Sequence, residues 1–142
     1  MVLAAAAVLV AAGLAWRANE ESSEVTSAQL ARGAAVYAEA CASCHGANLE
    51  GQPEWRSPGP DGRLPTPPHD ETGHIWHHSD RILLDTMTRG AAAVVGGGRE
   101  SNTPGFGDTY SEEDLRAVLE WLKSRWPEQE RSYQREVSGG DN

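Results

Sequence analysis

The chain has 142 residues, room for one domain with appendages. Twelve lysines and arginines against twenty-one aspartates and glutamates leave it acidic, which argues against nucleic acid as a partner, because phosphate contacts need clustered cations. The same charge would steer an encounter with a basic protein face and make it salt-sensitive.

Residues 2–16 read VLAAAAVLVAAGLAW, an uncharged apolar run closed by Arg17. Its length falls short of the roughly twenty residues that span a bilayer upright and matches the apolar region of a signal peptide or a short anchor. Residues 1–17 are therefore read as a signal peptide or an N-terminal membrane anchor. Either function places the rest of the chain in the periplasm or on the outer face of a bacterial inner membrane. Residues 18–26, with Glu20, Glu21 and Glu24 and few apolar side chains, read as an acidic linker.

A helix is predicted next, capped by Thr26 or Ser27 and running to about Ala40, with Leu30, Ala34, Val36 and Tyr37 on a partial apolar face. Gly33 sits in its middle, where glycine costs about 1 kcal/mol against alanine. Such a glycine marks the close approach of another helix.

Cys41-Ala42-Ser43-Cys44-His45 follows. Two cysteines separated by two residues, with a histidine after the second, form the attachment pattern of c-type haem. Each thiol can add across a haem vinyl group, and the adjacent imidazole then reaches the iron as proximal ligand. Cys41 and Cys44 are thus the expected thioether positions for one covalent haem c, and His45 the expected axial ligand. Such attachment takes place outside the bacterial cytoplasm, in agreement with the apolar leader. A four-thiolate zinc site would need a second Cys-x-x-Cys, which a chain with two cysteines lacks. A mixed zinc site would recruit two of His69, His74, His77 and His78 across a gap of twenty-four residues or more, long for a finger. A redox dithiol expects βαβ patterning, and none is found.

Gly46 to Pro68 is rich in glycine, proline and polar residues, with no helical or strand period. A loop of that length is expected where a chain wraps a cofactor. Leu49, Trp55 and Leu64 are its expected anchors, and Arg56 and Arg63, its only cations, are candidate partners for haem propionates. Residues 69–78 hold four of the five histidines, a density that points to metal or cofactor chemistry, including a second metal such as copper. Ser79 or Asp80 caps a predicted helix over Arg81 to Arg89, with Leu83, Leu84 and Met87 on one face and Gly90 as its stop. Residues 91–98 are small and glycine-rich but lack the Gly-Lys-Ser/Thr ending of a phosphate loop. The last strong helix begins at Ser111 with a capping-box partner at Asp114, buries Leu115, Val118, Leu119 and Leu122, and ends at Pro127. Gly33 is the expected point of its crossing with the first helix. Residues 128–142 are charged and glycine-ended and read as a loosely held tail.

With the attachment motif, a helix before it, and a Pro-Gly-Phe turn before a C-terminal helix, the chain resembles the class I, mitochondrial-like c-type cytochromes over about Gln29 to Trp126. It is most similar to small bacterial monohaem members with a Gly-x-x-Leu-x-Gly-Gln segment and a loop ending in Trp-His-His, here Gly46 to Gln52 and Trp76 to His78. The resemblance implies an all-α fold over residues 27–127, with long irregular loops, first and last helices crossing over a covalently bound haem, and the haem edge exposed in a crevice. It also implies single-electron transfer between redox-partner proteins that meet the haem edge, without substrate turnover. One position departs from the family: Thr103 stands 58 residues after His45, where a methionine usually supplies the sixth iron ligand. A hydroxyl is a poor iron ligand beside a thioether or imidazole. The replacements are Met87, one of His69, His74, His77 and His78, or an open position. An open iron would suit an enzyme or sensor for peroxide or a small gas, and a haem-free zinc or copper protein is the third reading.

Overall fold

The computed structural model describes residues 25–97 and 101–140. The apolar run at 2–16 lies outside them. Among the described residues all regular structure is helical, and no helix is long and apolar enough to cross a membrane.

Two capping boxes set the starts of the principal helices. In α1, Ser27–Ala40, the Thr26 hydroxyl accepts from the Gln29 amide while the Gln29 side chain accepts from the Thr26 amide at 2.9 Å. In the later helix Glu112–Arg125, Ser111 and Asp114 make the same exchange, with three acids in the first turn and Lys123 and Arg125 in the last. These two helices pack on each other. A Cβ at Gly33 would overlap the Ala117 carbonyl and the Trp121 Cβ, so only glycine permits the approach. Val36 and Tyr37 from the first helix meet Val118, Leu119 and Leu122 from the other in the buried core, joined by Leu49, Ile75, Leu83 and Trp126. Each such side chain contributes about 1.5–3 kcal/mol by leaving water.

Between them lie the single turn α2, Ala42–His45, an irregular stretch to a 3₁₀ turn at Ile75–His77, α3, Asp80–Arg89, and the short α4, Ala91–Val95. Ser79 caps α3 by accepting from Ile82 N, so the helix opens one residue before the expected start, and Gly90 ends it. The Glu112–Arg125 helix is α5.

Two expectations need correction. Leu64 is no anchor: it is 59% exposed and lines a cavity of about 440 Å³ with Ala91, Ala92 and Val95. The expected loose tail is instead helix α6, Glu128–Gly139, packed on the 3₁₀ turn. Its hold is polar. Gln134, 1% exposed, donates to Asp80 Oδ1 at 2.5 Å, and Lys123 Nζ reaches the same carboxylate at 2.9 Å. Ser138 closes the group by accepting from the Asp80 amide at 3.0 Å. A reading that counts apolar positions finds too few in this stretch to place a packed helix.

Candidate functional site

Helix α1 runs directly into the Cys-x-x-Cys-His turn. Cys41 is its C-cap, and the Cys41 carbonyl accepts from the amides of Cys44 and His45, so both thiols and the imidazole are carried by one turn of chain. The exit is clamped from the core: buried Tyr37 donates its hydroxyl to the Gly46 carbonyl at 2.8 Å, and burial raises its pKa. Both cysteines are free thiols, Cys41 half-buried and Cys44 exposed. Burial, with the neighbouring Cys44 adding to it, pushes the Cys41 thiol up to about 11, so it stays protonated.

His45 Nδ1 lies 2.9 Å from the Pro67 carbonyl. A carbonyl can only accept, so Nδ1 carries the proton and the ring's lone pair is left on Nε2. Metal-binding histidines are oriented by this device. Burial lowers the His45 pKa, partly opposed by the Pro67 bond, which keeps the ring neutral and able to act as a ligand. The local sequence explains the contact. Pro68 restricts Pro67 to extended backbone. Gly51, at φ 65°, leaves room for both prolines, which a Cβ there would strike. Gly51 N also donates to the His45 carbonyl at 2.8 Å, so the loop folds back on the motif it must orient.

The remaining histidines lie on the arm of chain that follows Pro67. His69 is stacked on His45, ring centres 3.5 Å apart and planes 22° from parallel. Its amide donates to the Leu49 carbonyl and its carbonyl accepts from Trp126 Nε1, each at 2.8 Å. The buried Nδ1 of His69 has no hydrogen-bond partner, and burial, with His45 and His74 nearby, holds its pKa well below the usual value. His74 stacks on Trp55 and meets the edge of His78, and burial lowers the pKa of both. His77 stacks on Trp76 and faces Tyr133 of α6. No group of three or more His, Cys, Asp or Glu side chains among the described residues is placed to hold a metal ion. Arg56 lies over the Trp55 ring at 4.1 Å and donates to the Thr72 carbonyl.

A second arm is built on the end of α3. Phe106 N donates to the Met87 carbonyl at 2.8 Å, Gly107 N to Thr88 at 3.0 Å, and Ala91 N to Thr103 at 3.3 Å. Met87 is partly buried against the core. The cavity mentioned above lies between α4 and residues 61–64, and Arg63, which lines it, donates to Asn102 Oδ1 at 2.9 Å. Cys41, Cys44 and His45 do not line it.

The donor set fits a flat iron macrocycle held at its rim: two free thiols for covalent attachment and an imidazole presenting Nε2, all on one turn. Pro67 and Tyr37 went unmarked as site residues in the sequence. Pro67 acts through its carbonyl, which any residue carries, and the Pro-Pro pair was its only signal.

The sequence model of the family described as Cytochrome c matches residues 30–126. A search of curated proteins and one of solved structures each found no match.

Proposed function

The chain belongs to the cytochrome c family, and from that premise we propose an exported monohaem carrier that passes single electrons between redox-partner proteins. Its cofactor is covalently bound haem c, which supplies one reversible electron when bound. Cys41 and Cys44 would hold the haem as thioethers and His45 would supply an imidazole ligand to its iron. The hydrogen bond from His45 Nδ1 to Pro67 beside two free thiols carries the proposal, since it fixes the tautomer a ligand needs. Arg56 and Arg63 are candidate propionate partners, although each already has a neutral acceptor. The apolar run at 2–16 directs export or tethers the domain to the membrane.

The test is the full chain expressed with a haem-maturation system. Haem that survives denaturation and organic extraction, with a sharp reduced α-band and reversible one-electron titration, is expected in the periplasmic or membrane fraction. Haem lost on extraction, or a Cys41→Ser/Cys44→Ser variant that keeps it covalently, would overturn the attachment.

A further inference from the structure

Thr103 stands where the distal ligand is expected, and its surroundings leave it poorly suited to that task. Its carbonyl accepts from Ala91 N, its amide donates to the Ser101 hydroxyl, and its own hydroxyl is a weak donor to iron. We propose that Met87 supplies the sixth ligand of the haem iron, an assignment that rests on His45 holding the proximal side.

The histidines are placed elsewhere. Two axial ligands of one iron stand on opposite faces of a flat macrocycle. His69 lies face to face with His45 at 3.5 Å, with no room for a macrocycle between the rings. His74 is engaged with Trp55 and His78, and exposed His77 with Trp76 and Tyr133, so these three gather with the 3₁₀ turn and α6. That group belongs to the arm carrying Pro67 and His69, the proximal one.

Met87 is placed on the other arm. The strap from Thr103 to Gly107 is bonded at both ends of this corner: Phe106 N and Gly107 N donate to Met87 and Thr88 in the last turn of α3, and the Thr103 carbonyl accepts from Ala91 N at the start of α4. The segment that should carry the ligand therefore lies against the turn that carries the chain's one methionine besides Met1. Met87 shares a face with Leu83 and Leu84 and packs against the core, but it stays only partly buried. An unbranched side chain with three rotatable bonds can turn from that face. A thioether is also the ligand that raises the potential of a c-type haem.

The experiment uses the full, haem-loaded chain. Wild-type protein is expected to show, when oxidised, the weak sulfur-to-iron charge-transfer band at the red end of the visible spectrum, and when reduced, a spectrum that carbon monoxide leaves unchanged. Met87→Leu, which conserves volume, is expected to lose the band, bind carbon monoxide and fall in midpoint potential. Adding Thr103→Met to that variant is expected to restore all three. A wild-type protein without the band or one that binds carbon monoxide overturns the assignment, as does a band that persists in Met87→Leu. Carbon monoxide binding would favour an open iron that takes small ligands, and a missing band without it a different strong ligand. A chain that matures with no haem at all is a different failure, because it removes the proximal assignment and this one with it.

Discussion

His69 lies face to face with His45, ring centres 3.5 Å apart and planes 22° from parallel. Pro67 fixes one edge of the His45 ring and His69 covers its face, so neither rotation nor tilt is left free. A buried, uncharged imidazole serves here as an aromatic plate, held by its backbone bonds to Leu49 and Trp126.

His69→Ala is therefore expected to destabilise the protein by about 2–4 kcal/mol through the cavity it leaves, and His69→Phe by much less. Denaturant midpoints measure the cost. Electron paramagnetic resonance of the oxidised protein should show a broadened or shifted axial signature for alanine alone. Equal signatures in both variants would mean that His69 does not orient His45.

Gly33→Ala would normally gain about 1 kcal/mol in a helix interior. Here the added methyl meets the Ala117 carbonyl, a backbone atom that cannot change rotamer. Overpacking costs about 1–3 kcal/mol, and an unyielding neighbour puts the cost at the upper end. A net loss of stability is expected, seen as a lowered thermal midpoint, and any gain would refute the close helix contact.

Burial works to raise the Asp80 pKa, but hydrogen bonds from Lys123 and Gln134, with the Lys123 charge and Ser138, outweigh it and lower the pKa below 3.8. The unfolded chain therefore binds this proton first as pH falls. The carboxylate's contribution is complete above 3.8 and is lost as pH drops through the lower folded value. Helix α6 should accordingly loosen in acid, with amide exchange across 128–139 rising below about pH 4. Asp80→Asn should flatten that dependence.

Gln134→Ala removes the buried donor that ties α6 to Asp80 and the His78 carbonyl. A loss of about 1–3 kcal/mol is expected, confined to α6 if the helix opens as its own unit. Exchange protection across 128–139 measures it, and unchanged protection there would show that the polar clamp is not what holds the helix.

His45→Ala is expected to abolish stable low-spin haem while the two thiols remain available for attachment. The reduced α-band should broaden or vanish. A sharp, wild-type band would mean that another residue is the proximal ligand.

Local signals were legible wherever the chemistry is local. The caps at Thr26, Ser79 and Ser111 follow from one side chain reaching a nearby amide, and each stands in the structure where its residue type places it. Gly33 was readable as a crossing point because a helix interior tolerates glycine only at a cost. The tail was misread because α6 is held by Gln134, Asp80, Lys123 and Ser138, a polar contact across more than fifty residues of chain that no apolar period reveals. Leu64 was misread because an apolar residue can line an open cavity as readily as it can fill a core.

By itself, the sequence determined the family, the covalent haem and the helical frame, because an attachment motif and capping boxes are written in residues a few positions apart. Only the tertiary structure decided which partner orients His45, that His69 stands against that imidazole, and that Phe106 is bonded to the turn bearing Met87. Those relations run through backbone carbonyls and stacked rings from distant segments, and they exist only once α1, α5 and the loops between them are packed.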